Sequence, residues 1–225
     1  MKASKIIFLD IDGVLNISGV SEGLRMLGIP EEYLEFKDDS EDYLLYLSKS
    51  FSPTSLYYLS EILKSTQAKI VISSTWRRGV SIETMRKWFQ DPLLKKAIID
   101  KTPSLSPQKY PKLCDKRGSV QRGEEIYMWL QDHPEVTHYA VIDDDGDMDA
   151  VRLNFFQTNS YEGLTHKISR EIIAHLNKKE YTDNYRLNCA LQVFYQELLE
   201  TSHVKDPEKI MENLVKELGK KYNNR

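Results

Sequence analysis

Four consecutive apolar residues, Ile6-Ile7-Phe8-Leu9, run straight into Asp10-Ile11-Asp12-Gly13. A short strand without polar alternation is buried on both faces, the habit of strands in a parallel sheet covered by helices on each side. In open α/β sheets ligands bind just beyond the carboxyl ends of such strands. Asp10 and Asp12 stand at that place, and Gly13 lets the chain turn sharply away. Two carboxylates one residue apart repel each other unless a cation or a shared proton relieves them. An ordinary acidic turn would satisfy the same letters, so D-x-D-G alone leaves both readings open.

The rest of the chain narrows the choice. Lys69-Ile70-Val71-Ile72-Ser73-Ser74-Thr75 is a second apolar strand and ends in hydroxyls, and His138-Tyr139-Ala140-Val141-Ile142-Asp143-Asp144-Asp145 is another and ends in acids. Between them Arg122-Gly123-Glu124-Glu125-Ile126 puts a basic residue at the start of a helix. Strand candidates at about 5–10, 69–73, 97–100, 138–142 and 154–158 alternate with helical patterns, the signature of an α/β fold. Ser52-Pro53 suits an N-cap and first helical position ahead of Leu56, Leu59, Ile62 and Leu63. Ser81 caps a helix with the stripe Ile82, Met85, Trp88 and Phe89, and Glu124 and Glu125 favour the start of another with Ile126, Trp129 and Leu130 inward. Thr165 caps a helix carrying Ile168, Ile172 and Leu176, and further amphipathic stretches begin at Thr182 and at Asp206-Pro207.

At 225 residues the chain suits one compact domain with an appendage. A net charge of −3 gives no global basic field to attract nucleic acid. Cys114 and Cys189 lie far apart without metal-ligand spacing, which fits free thiols of a reducing compartment. No apolar run is long enough to cross a bilayer and no signal-peptide pattern opens the chain, so a cytoplasmic protein is expected; secretion without a signal would leave no trace. The 5 histidines show no zinc spacing, and no phosphate-binding loop of the Walker type appears, which argues against a kinase. An EF-hand fails as well, because aligning Gly146 to the loop glycine puts Val141 and Arg152 at ligand positions.

Taken in order, D-x-D-G after the first strand, Ser-Ser after the second, Arg122 before a helix and Asp143-Asp144 after a later strand resemble the haloacid dehalogenase-like (HAD) phosphatases over residues 5–165. The closer marks, D-x-D-G-V-L-N at 10–16, S-S-x-W-R at 73–77, R-G-E-E-I at 122–126 and G-L-T at 163–165, are similar to the HAD domain of proteins predicted to repair RNA. The resemblance implies a three-layer, Rossmann-like α/β core around a central parallel sheet. It assigns 1–164 to that core, with 17–51 as a small cap or flap insertion rich in acids (Glu35, Asp38, Asp39, Glu41, Asp42). Residues 165–225 become a helical extension that packs on the core or leads to a C-terminal region beyond this chain. Those helices are also candidates for contact with a partner or a membrane.

The resemblance further implies a chemistry. Asp10 attacks phosphorus to form an aspartyl-phosphate, and Asp12 serves as general acid and then general base. Mg²⁺ is the expected cofactor, held by Asp10, the Asp12 backbone carbonyl, Asp143 and Asp144; Asp145, Asp147 and Asp149 read as loop or N-cap residues. Ser73 is the expected phosphate-binding hydroxyl with Ser74 as its rival, and Arg122 takes a cationic role more often filled by lysine, with Lys116 and Arg117 as alternatives. Arg77 and Arg78 are candidates for substrate binding, and Trp76 reads as packing more than as a stacking platform. A small cap favours a phosphate carried on a macromolecule. Protein phosphotyrosine ranks narrowly ahead of an RNA 3′-phosphate, with small metabolites and a catalytically silent binding module further behind.

Overall fold

The computed structural model of the protein describes residues 4–17, 48–114, 118–178 and the isolated positions 206, 209, 210, 213 and 214. Most of the expected 17–51 insertion, Lys116, Arg117, Cys189, and the stretches after Thr182 and Asp206 therefore lie outside the described residues, apart from those isolated positions. The strands are β1 (Ser4–Leu9), β2 (Lys69–Ile72), β3 (Ile98–Lys101), β4 (Val136–Asp143) and β5 (Phe155–Gln157), in the order β3-β2-β1-β4-β5. All neighbours pair in parallel. The helices are α1 (Pro53–Thr66), α2 (Ile82–Lys87), α3 (Pro92–Ala97), α4 (Arg122–Gln131) and α5 (His166–Leu176).

Successive side chains of a strand point to opposite faces, and here each face has its own core. Ile7, Leu9, Ile70, Ile72, Ala140 and Ile142 pack with α1, α3 and α5. Ile6, Phe8, Val71, Tyr139 and Val141 pack with Ile126, Trp129 and Leu130 of α4. Phe8 meets the rings of Trp129 and Tyr139 edge-on at 5.3 and 5.9 Å. The unbroken apolar run of β1 is thus the consequence of a strand sandwiched in the middle layer, where each large side chain contributes about 1.5–3 kcal/mol by burial.

Caps set the helix starts. Ser52 accepts from the Ser55 N–H, Ser81 from Thr84 and Thr165 from Ile168, as the sequence leads one to expect. The Ile82–Phe89 stripe is cut short, however: α2 ends at Lys87, and Trp88 and Phe89 are buried just beyond it. A further helix, α3, is capped by Asp91, whose side chain accepts the Leu93 N–H at 2.7 Å ahead of Pro92. Ile172 and Leu176 of α5 belong to the same buried cluster as β1, so this helix closes one face of the sheet.

Strand order 3-2-1-4-5 means that the chain leaves β1 toward one edge and returns on the other side of it. That reversal opens a crevice at the carboxyl ends of β1 and β4. The G-L-T element secures its floor. The Leu164 N–H donates to Val14 O and Ser55 Oγ, both at 3.1 Å, and Thr158 Oγ1 donates to Gly13 O at 2.9 Å. Gly163 sits at φ 67°, where a Cβ would lie 2.6 Å from Val14 O. Gly163→Ala is expected to lower stability by about 1–3 kcal/mol, read as a fall in the urea midpoint with an unchanged slope.

Candidate active site

Asp10 ends β1, with its N–H still paired to Ile142 O at 3.0 Å, and Asp143 ends the adjoining β4. Parallel pairing therefore carries both carboxylates to one edge, where they are 6 % and 2 % exposed. Asp144 joins them, and oxygens of all three lie within 4.8 Å of one another. Gly13 makes this possible in two ways. It holds φ 69°, and a Cβ there would collide with the Asp144 carboxylate. The glycine of D-x-D-G is thus both a turn and a cradle.

The cation facing this cluster is Arg122. Because α4 precedes β4 and runs antiparallel to it, the first residue of α4 lies at the carboxyl edge. Its guanidinium is 3.5 Å from Asp10 and 3.9 Å from Asp143, and it donates to the Ser73 carbonyl. Gln121 gives α4 no side-chain cap; instead Asp147 Oδ2 accepts the Arg122 N–H at 2.9 Å, and Gly123 N–H donates to Asp147 O at 3.0 Å. A Cβ at Gly123 would come within 3.0 Å of the Met148 backbone, which is why the helix start can press onto that loop. Asp147 thus caps a helix, from a segment distant in sequence.

The two serines part company. Ser74 places its hydroxyl on the Asp10 carboxylate, whereas the Ser73 hydroxyl turns to Thr102 at 3.5 Å. Asp12 is exposed and accepts from Asn16 Nδ2 at 2.9 Å and from the Trp76 indole N–H at 2.7 Å.

Arg77, expected at the substrate, is not brought to the cluster. It is 2 % exposed, donates to the carbonyls of Ser74, Thr102 and Pro103, and pairs with Glu125, which also accepts the Leu105 N–H at 2.8 Å. A guanidinium so occupied joins the loops after β2 and β3 to α4, and Arg78 beside it is exposed. Asn16 and Trp76 are the contacts that the sequence did not assign. Of these, Trp76 carried a usable signal, because a buried indole normally needs an acceptor for its N–H.

Burial, with repulsion from Asp12, pushes the Asp10 carboxyl up to about 7, and burial, with repulsion from Asp10, pushes that of Asp143 up to about 8; Arg122 pulls both down. Asp144 is raised too, chiefly by burial. Asp143 Oδ2 is buried and accepts no hydrogen bond among the described residues. A buried carboxylate oxygen left in this state, with two more carboxylates beside it, fits a hard divalent cation with oxygen ligands. Asp10, Asp143 and Asp144 are the side chains that could hold it.

A doubly wound parallel sheet with D-x-D-G after its central strand, serines after the next and paired acids across the crevice is the arrangement of a HAD-type α/β core. A family model described as the HAD domain in Swiss Army Knife RNA repair proteins matches residues 6–168, and the chain belongs to that family. Comparison with curated proteins and with solved structures gave no match. The family and the acidic cluster together support phosphatase-like enzymatic activity. No helix among the described residues is long and apolar enough to cross a membrane.

Glu125→Ala would strand the buried Arg77 charge, and a loss of about 3–5 kcal/mol is expected by urea unfolding. Carboxyls raised in the native state favour folding while protonated. Their contribution is full below the ordinary range near 4 and is lost as pH rises through about 7 to 8. The metal-free protein should therefore melt at lower temperature as pH climbs through that window. Asp143→Asn should flatten the fall, and added Mg²⁺ should raise the melting temperature more at the alkaline end.

Proposed function

We propose that this chain is a phosphomonoesterase that removes the 3′-phosphate from an RNA end through an aspartyl-phosphate on Asp10. The observation that carries the chemistry is the set of Asp10, Asp143 and Asp144 gathered within 4.8 Å beside the Arg122 guanidinium. A phosphate monoester and a carboxylate nucleophile are both anionic, so positive charge and alignment are what the site must supply. Asp10 attacks phosphorus while the bond to the leaving oxygen breaks, and Asp12 gives that oxygen its proton. In the second displacement Asp12 takes a proton from water as the water oxygen attacks the aspartyl-phosphate, which releases phosphate and restores Asp10.

Arg122 can offer two parallel N–H bonds to phosphoryl oxygens. Ser74, whose hydroxyl already reaches Asp10, takes the phosphate-binding role in preference to Ser73. Mg²⁺, held by the side chains of Asp10, Asp143 and Asp144 and the Asp12 carbonyl, would supply positive charge to the phosphate and to the carboxylates around it.

For the substrate, membership of a family described from RNA repair proteins favours an RNA end over the protein phosphotyrosine that ranks first on sequence alone. Lys109 and Lys112 add modest support. They are exposed on the connection from β3 to α4, both ends of which lie at the carboxyl edge, and a polynucleotide needs some basic approach.

Phosphate release from a 3′-phosphorylated RNA oligonucleotide and from a phosphotyrosine peptide, measured side by side with Mg²⁺, tests this reading. Release from the RNA, lost in Asp10→Asn and on chelation of the metal, is expected. Release from the peptide alone would restore the phosphoprotein substrate, and turnover of neither would overturn both.

A further inference from the structure

An exposed carboxylate on a loop ordinarily samples several rotamers, yet both oxygens of Asp12 are engaged. Asn16 donates to Oδ1 at 2.9 Å and the Trp76 indole to Oδ2 at 2.7 Å. Asn16 belongs to the same turn, which is closed by Gly13 N–H to Asn16 O at 2.7 Å and Asn16 N–H to Ile11 O at 2.9 Å. Trp76 comes from a separate part of the fold, the 3₁₀ turn Thr75–Arg77 that follows β2.

The indole ring is 7 % exposed and is fixed by aromatic neighbours. Phe51 packs against it at 5.8 Å, Trp88 stands nearly perpendicular at 5.6 Å, and Phe51 in turn meets Phe89 at 5.7 Å. Burial in this cluster does not by itself produce a hydrogen bond: the Trp88 indole N–H, also buried there, has no partner among the described residues. Trp76 differs in that its one polar atom is aimed out of the cluster at the carboxylate beside the crevice. The indole can only donate, and it does so to the Asp12 oxygen that Asn16 does not contact.

We infer that Trp76 is a positioning residue for proton transfer, its indole N–H fixing the rotamer of Asp12 so that the lone-pair position carrying the transferable proton faces the leaving oxygen. This rests on the phosphatase reading above. Each carboxylate oxygen has two lone pairs, so one donor on each still leaves a site for the transferred proton. Proton transfer requires hydrogen-bond reach, and small misplacements of a catalytic group are costly in rate. The tryptophan of S-S-x-W-R thereby acquires a task separate from its packing.

Trp76→Phe keeps an aromatic ring in the cluster and removes the N–H. The readout is kcat/KM, which reports steps through loss of the leaving group, for two substrates. A ribonucleoside 3′-monophosphate needs its leaving alkoxide protonated, whereas p-nitrophenyl phosphate expels a stable phenolate. The expected result is a roughly 10- to 100-fold fall for the nucleotide and a change under about threefold for the aryl ester. Equal losses, or none, would overturn the inference; a wild-type enzyme that turns over neither substrate would overturn the phosphatase reading instead. Independently of activity, the indole N–H resonance that Trp76→Phe deletes from a proton–nitrogen correlation spectrum should move upfield in Asp12→Ala. A resonance that stays in place would equally overturn the assignment.

Discussion

Three carboxylates crowded at the ends of two neighbouring strands are the constraint around which the molecule is built. At separations within 4.8 Å and an effective dielectric near 20, each ionised pair repels by roughly 3 kcal/mol. Among the described residues Arg122 offsets one charge of the three, which leaves two for another positive group to offset. A divalent cation has the charge to close that gap, and protons shared among the carboxyls are the alternative when no cation is bound. The raised Asp10 and Asp143 describe this second state.

Such a cluster persists only if the surrounding structure holds it rigidly. Parallel pairing of β1 with β4 fixes Asp10 beside Asp143, and Gly13 admits Asp144. The position of Arg122 depends on how α4 is set. Asp147 caps its first N–H, Gly123 lets its backbone approach the 147–148 segment, and Glu125, one turn further on, is locked to Arg77. The buried Arg77–Glu125 pair therefore ties the exits of β2 and β3 to the helix that presents Arg122 to the acidic cluster. Buried ion pairs are weak sources of stability but good sources of geometry, and geometry is the requirement here.

The other flank of the crevice is apolar. Phe51, Trp76, Trp88 and Phe89 form an aromatic wall that reaches Asp12 through a single indole N–H. Charge is thus organised by a buried ion pair on one side, and the exposed carboxylate is oriented by packing on the other. Asp10 and Asp12, two residues apart, consequently occupy different environments: one buried among like charges, the other held at the surface between two donors. That difference is what the two roles proposed for Asp10 and Asp12 require of one short motif.

Much of this was legible in the residues themselves. The all-apolar stretches required central parallel strands, and the acids and serines at their ends had to share one edge, because all strands of a parallel sheet point the same way. Ser52, Ser81 and Thr165 announced helix starts through cap chemistry that is local. Long-range choices were not legible. Whether Ser73 or Ser74 faces Asp10 turns on one residue of pleat, and Thr102, just past the end of β3, donates to the Ser73 hydroxyl. Arg77 looked like a substrate ligand because a sequence shows charge and not depth; only the fold supplied Glu125 and three carbonyls to bury it. Trp76 read as packing because its acceptor lies 64 positions away. Periodicity and capping, which act over a few residues, are written in the sequence, whereas the partner of each buried polar group is decided when distant segments meet.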